Sequence, residues 1–325
     1  MPTFSSLQQH HYYQLRVHFE DNSISYIPAY AFQAPNKLST NHILLFLSDN
    51  QISNLNVDAF LGIENTTFVD LELGNNNLTS VTLAVKQIKH IRLLDLTGNP
   101  IHTLDSSVLS PIGHSLEVLE LDLSLFSKWP RKFRLLGKMN YQYLKNTPFT
   151  HLDKDAFNGF GFGQTPVALE FLGSHLEYFP GAICKLPKLY LLTIDNSPFI
   201  NDNGYSLFSQ CHDQLSGFER LSLTSNNFHS FPDVLRIAPS LTNIRFNKQL
   251  QELYLGDTAM KTIPQAILSP PKLSAIDMSN IVKDCTCDLS YLKHWNASAL
   301  LSDPMCTFPR VTVKQYITTY LQQCP

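Results

Sequence analysis

One short pattern recurs along the whole chain: Leu71 and Leu73 precede Asn76 and Leu78 as Leu94 and Leu96 precede Asn99 and Ile101. The same LxxLxLxxNxL spacing runs through Leu45, Leu47, Asn50 and Ile52, and through Phe218, Leu221, Leu223, Asn226 and Phe228. Weaker copies keep the apolar positions of Leu116, Leu119, Leu121 and of Leu189, Leu192, Ile194, but put Ser124 and Ser197 where Asn is expected. Val17, Phe19, Asn22 and Ile24 open the series, copies at Ser174 and Thr258 continue it, and a degenerate copy surrounds Thr147. The polar position therefore falls at 22, 50, 76, 99, 124, 147, 174, 197, 226 and 258, in steps of 23 to 32 residues. A compressed extra copy over 241–246 brings the count to about eleven. A unit that short cannot bury its own apolar face, so successive units must stack.

The spacing has a mechanical meaning. Alternation in LxL predicts a short strand with one buried face, and the Asn or Ser after it predicts a sharp turn whose side chain bonds backbone groups no ladder reaches. Five copies then carry an apolar residue before Pro, at Ile27-Pro28, Trp129-Pro130, Phe179-Pro180, Phe231-Pro232 and Ile263-Pro264, where fixed φ starts a return path. The pairs Ala31-Phe32, Ala59-Phe60 and Ala156-Phe157 fall on that return.

Four of the six cysteines, Cys285, Cys287, Cys306 and Cys324, follow the last copy with one, eighteen and seventeen residues between them. They enclose a stretch from Asp288 to Trp295 that reads as a short capped helix. Four cysteines allow three pairings. A zinc site is the disfavoured alternative, since structural zinc sites space their close pair by roughly two to four residues. Cys184 and Cys211 fall on the return paths of consecutive coils, which leaves open a cross-coil disulfide or two buried, inert thiols.

These repeats and cysteines resemble the leucine-rich repeat family, over nearly the whole chain from about Leu15 onward. The resemblance implies an α/β solenoid: a curved leucine-rich repeat horseshoe with a parallel concave sheet, about 11 repeats and a disulfide-bonded C-terminal cap. It divides the chain into an N-terminal edge over 1–13 that lacks a Cys-rich cap, repeats over 14–281, and a cysteine-rich cap over 282–325. By the pattern of extracellular members, Cys285 pairs with Cys306 and Cys287 with Cys324.

Disulfides point to an oxidising compartment, and the triplets beginning at Asn65, Asn77 and Asn296 are N-glycosylation acceptors there. The N-terminus shows neither the charged start nor the apolar core of a signal peptide. The expectation is a secreted or cell-surface chain with a truncated N-terminus.

The x positions of xLxLx line the concave face, where this family usually binds partners. They present Asp70, Glu72, Asp95, Glu117, Glu120 and Asp122, with Arg92 as counter-charge. Leu44 and Phe46 flank this acidic strip on one side, and Tyr141, Tyr143, Leu172 and Tyr190 on the other. Two readings stay open: a protein ligand with a basic segment docks on the strip, or the strip is only a solvated face.

Other classes are disfavoured. A net charge of −3 gives no basic field for nucleic acid. The longest apolar run, Ile43 to Leu47, is five residues where a membrane span needs about 20. Gly159, Gly161 and Gly163 lack the spacing of a phosphate loop, and the twelve His form no ligand or triad pattern, so no cofactor, no metal and no enzyme is expected. The functional expectation is an extracellular protein mediating protein–protein binding, of receptor ectodomain, adhesion or matrix type. The alternative is a non-catalytic accessory subunit or inhibitor of a secreted enzyme.

Overall fold

Each LxL pair becomes a strand with its leucines inward. The computed structural model describes residues 11–33, 39–63, 67–158, 167–177, 180–186, 189–198, 218–227, 250–258, 260, 263, 265–268, 271–281 and 284–324. Asn65, Cys211, the loop from Gly159 to Gly163, Phe231-Pro232 and the compressed copy over 241–246 lie outside them. The chain forms two units: Met1–Pro148 with Ala156–Thr165, and Phe149–Asp155 with Pro166–Pro325.

In the first unit, β1 (His11–His18), β3 (Ser39–Phe46), β5 (Phe68–Glu72), β6 (Ile91–Leu96), β7 (Val118–Asp122) and β8 (Tyr141–Lys145) follow one another in a parallel sheet. Two short strands, β2 (Tyr26–Ile27) and β4 (Asn54–Leu55), pair on the return side. In the second unit, β9 (Val167–Leu172), β10 (Leu189–Asp195), β11 (Arg220–Ser222), β12 (Glu252–Tyr254) and β13 (Ala275–Asp277) form the same parallel succession. Coil-on-coil stacking buries Leu45, Leu71, Leu94 and Leu119 in one unit and Leu192, Leu221, Leu253 and Ile276 in the other. Each such side chain contributes roughly 1.5–3 kcal/mol through burial.

The turn after each strand is built the same way. A residue with left-handed φ stands immediately before the polar position, at Asp21, Asp49, Asn75, Gly98, Asn146, Gly173, Asn196, Ser225 and Asp257. Asn, Asp and Gly tolerate that conformation best. The Asn that follows then clamps two coils. Asn76 Nδ2 donates to the carbonyls of Leu73, Gly74 and Leu47, and its Oδ1 accepts from the amide of Ile52 in the preceding coil. Asn50 holds Phe19 and Ile24 in the same manner, Asn99 holds Leu73 and Leu78, and Asn226 holds Ile194 and Ser197.

Two copies depart from this. Ser124 is exposed; Leu123, which is buried, takes the place where other copies have a left-handed residue, and Ser124 only donates its amide to Asp122. Thr147 is buried with a hydroxyl that has no partner, and Gln142, in the leucine position of β8, is wholly buried with both amide atoms unpaired. The repeat around Thr147 is thus degenerate in structure as well as in sequence.

Among the described residues, the return paths carry 3-10 turns at Leu83–Gln87, Arg131–Leu135, Gly181–Lys185 and Gln265–Leu268, and an α-helix, α1 (Ser106–Ile112), capped by Asp105. Pro130 and Pro180 stand at the N-caps of two of these turns, where a missing N–H costs nothing. Phe32 stacks on Phe60 in the adjacent coil at 5.4 Å. Trp129 meets the edges of Phe133 and Phe157 and donates its indole N–H to the Ala156 carbonyl at 2.8 Å.

The C-terminal residues close the last coil. Disulfides join Cys285 to Cys306 and Cys287 to Cys324, with Cα separations of 5.6 and 5.5 Å. The stretch after Cys287 is a 3-10 turn, Cys287–Leu292, that buries Leu289 and Leu292. Leu301 donates its amide to Ile276 of β13 at 2.8 Å, so the cap continues the strand bonding. Tyr291 donates its hydroxyl to the carbonyl of Ile263, and burial pushes its phenol up to about 12. Cys184 is disulfide-bonded too. Among the described residues, no helix is long and apolar enough to cross a membrane.

Candidate functional site

Strand register arranges the side chains opposite the leucines of the first unit into rows. One row runs Arg16, Leu44, Asp70, Leu93, Val118, Tyr141, and the next runs His18, Phe46, Glu72, Asp95, Glu120, Tyr143. A parallel sheet places in-register side chains about 5 Å apart, so these rows are continuous surfaces. Phe46, Asp70, Glu72, Arg92, Asp95, Glu117, Glu120, Asp122, Tyr141 and Tyr143 belong to this unit, while Tyr190 lies on β10 of the second unit.

The acidic residues divide into two kinds. Asp70 is only 4% exposed and takes His42 Nε2 at 2.9 Å and the Arg92 guanidinium on the same oxygen; its other oxygen is buried and unpaired. Asp95 Oδ1 accepts from the amide and hydroxyl of Thr97, each at 2.8 Å. Asp122, also buried, accepts from the Ser124 amide and from Asn146 Nδ2 at 2.7 Å. These three aspartates are committed to the scaffold. Sequence reasoning treated all of the acids as one outward strip and Arg92 as a general counter-charge, because spacing assigns a side to each residue but not a depth.

Glu72 is different. It is half-buried, and while its backbone carbonyl accepts from the Leu47 amide, its carboxylate has neither a hydrogen bond nor an ion pair. Burial raises its carboxyl above the ordinary value, and the charges of Asp95, Asp70 and Glu20 raise it further. Gly74 stands two residues on and is buried, with the Asp95 carboxylate packed so closely that an added Cβ would meet Oδ2 at 2.7 Å. Beside it in the row, Phe46 stacks on His18 at 4.5 Å and nearly parallel, and His18 Nδ1 lies 2.7 Å from Glu20.

Phe68 adds to this face. The repeat places it at the first, inward position, yet it is 43% exposed and Val69 is buried instead. The backbone of β5 runs in unbroken register with β3, so Val69 and Leu71 share the inward side and Phe68 falls opposite; in β6 the extra residue Arg92 brings Ile91 inward instead. Phe68 pairs in register with His42, extending the aromatic surface beyond Phe46. Tyr143 carries Lys145 over its ring at 5.5 Å at the far end. Among the described residues, no group of three or more His, Cys, Asp or Glu is placed to hold a metal ion.

No family model matches the chain. It is similar to Tsukushi from Gallus gallus, 26% identical over 273 residues that cover 69% of this chain and 72% of that protein. It is also similar to Chaoptin from Drosophila melanogaster, 25% identical over 258 residues, covering 69% of this chain but only 19% of Chaoptin. Among solved structures, a leucine-rich repeat protein of Leptospira interrogans matches with a TM-score of 0.57 and 20% identity, over 85% of this chain and 68% of that one. A chain of the octameric complex of Latrophilin 3, Unc5D and FLRT2 matches with a TM-score of 0.54 and 16% identity, over 90% and 92%. Stacked parallel strands, polar clamps at each turn, the paired cysteines and these likenesses agree: the chain is a leucine-rich repeat protein with a disulfide-bonded, Cys-rich C-terminal cap.

Proposed function

We propose that this chain is an extracellular, non-catalytic binding protein that takes a protein ligand on the strand face of its first unit. Glu72 carries the reading: a half-buried carboxylate crowded by like charges, with only the charge of His18 to offset them, is costly alone and is relieved by a Lys or Arg brought by a partner. Phe46, Phe68, Tyr141 and Tyr143 supply the aromatic surface that anchors such contacts. The ligand is therefore a protein with a basic segment. The cysteine pairs support an oxidising compartment, as do the acceptor triplets at Asn77 and Asn296, both exposed. The repeats end near residue 281 and the cap begins at 282. The octameric complex that holds a fold neighbour is an assembly of different proteins, in keeping with a binding role.

The test is a binding screen of the secreted chain against an array of secreted and cell-surface proteins, alongside a variant carrying Glu72→Lys and Glu120→Lys. Ligands of the wild type are expected to be lost by the variant and to weaken as salt is raised. Retention of the same ligands by the charge-reversed protein would overturn the assignment to this face.

A further inference from the structure

The second unit holds a pocket of about 530 Å3 between the last return path and the cap. That volume lies within the range of roughly 300–1,000 Å3 typical of ligand-holding sites. Ile267, Leu268, Leu273 and Trp295 give its lining apolar surface, and Ser274 and Ser298 are its hydroxyl-bearing residues. Leu268 is 38% exposed, an apolar side chain open to solvent at this point.

Asn296 stands on the same lining. It caps the 3-10 turn Ala297–Ala299, its Oδ1 accepting from the Ser298 amide at 3.1 Å and its backbone carbonyl from Ala299 at 3.0 Å. The carbonyl oxygen of the side chain is thus tied down, while Nδ2 makes no hydrogen bond and is exposed. Nδ2 is the atom that carries the sugar in N-glycosylation, and Asn296, Ala297 and Ser298 form an acceptor triplet.

We infer that the pocket is the seat of this chain's own N-glycan: the first N-acetylglucosamine on Asn296 lies over Trp295 and Leu268. A pyranose has an apolar face of C–H groups and a rim of hydroxyls. An indole and aliphatic side chains on one lining, together with two serine residues, offer the matching surfaces. A glycan seated there covers the apolar lining and bridges the cap to the coil beneath it. The inference rests on the extracellular reading, since glycosylation occurs only in the secretory pathway.

The chain, secreted from eukaryotic cells, is examined by glycopeptide mass spectrometry and hydrogen exchange. One portion is trimmed to a single N-acetylglucosamine and another fully deglycosylated. Occupancy of Asn296 is expected, with amides of 267–274 and 295–300 exchanging roughly tenfold faster after full deglycosylation but not after trimming. Ser298→Ala, which keeps the Asn296 side chain and the backbone bond, is expected to match the fully deglycosylated protein. An occupied Asn77 beside an unmodified Asn296 overturns the inference and leaves the extracellular reading standing. So does an Asn296 glycan whose complete removal leaves exchange around the pocket unchanged. Retention of the unmodified chain inside the cell removes both.

Discussion

Asn76 donates through Nδ2 to the Leu47 carbonyl at 3.0 Å, one coil back, while its Oδ1 receives the Ile52 amide at 2.8 Å. Replacing this side chain with alanine leaves the buried Ile52 amide unpaired and takes one of two donors from the carbonyls of Leu47, Leu73 and Gly74, which keep Asn50, Asn99 and the Asp49 amide. Asn76→Ala is expected to lower unfolding free energy by about 3 kcal/mol in urea titration. The same change at Asn22, which is exposed and bonds only within its own turn, should cost under about 1 kcal/mol. Equal losses at the two sites would refute the cross-coil role.

Gln142 presents the reverse case. A wholly buried amide with neither atom paired opposes folding, and a leucine there restores the repeat pattern next to Leu119 and Leu144. Gln142→Leu is expected to stabilise the chain by about 1–2 kcal/mol. A variant no more stable than wild type on denaturant titration would argue that the amide is satisfied in solution.

Arg92 supplies the strong cation of buried Asp70, leaving only His42 when it is removed. Arg92→Met should cost about 2 kcal/mol, and adding Asp70→Asn should return part of that loss, since the uncompensated charge goes with it. Strict additivity of the two changes in thermal melts would show that the residues are not coupled.

Glu72 makes a statement about pH. Its folded carboxyl holds a proton to higher pH than the ordinary value of 4.5. Between those two values the folded state binds more protons than the unfolded, so this residue's contribution to stability falls as pH rises through the window. Relative to wild type, Glu72→Gln should therefore gain in Tm as pH rises above the ordinary carboxyl value of 4.5. A difference that stays flat over that range would contradict the assignment.

The cap disulfide between Cys287 and Cys324 spans 37 residues of sequence. Replacing both cysteines by serine is expected to cost about 3 kcal/mol, chiefly by freeing the unfolded chain. The measurement is chemical denaturation, and a loss well under 1 kcal/mol would mean that the unfolded cap is already compact.

The sequence made the repeat legible because leucine alternation and turn Asn are both local signals. Depth was not local. Ser124 occupies the expected spacing but is exposed, since buried Leu123 takes the preceding turn position and reshapes the bend. Phe68 faces outward because unbroken alternation in β5 puts Val69 and Leu71 inward, whereas β6 carries an extra residue, Arg92, that brings Ile91 inward, and no spacing rule tells the two apart. The distinction between Asp70, locked by Arg92 and His42, and Glu72, left alone, depends on partners 20 or more residues away in sequence. That the turn asparagines bond backward into the preceding coil was equally out of reach, as their period reveals where they stand but not whom they hold.

That backward reach gives the stack a polarity. Where the turn residue is Asn, a coil depends on its successor to complete its backbone bonding, through Asn50 for Ile24, Asn76 for Ile52 and Asn99 for Leu78. Shortening the molecule from its C-terminal side would strip a coil of the side-chain caretaker of its amide, whereas shortening it from the other side would leave an asparagine with fewer duties and amides such as that of Asn77, which donates to Ile52, without their acceptor.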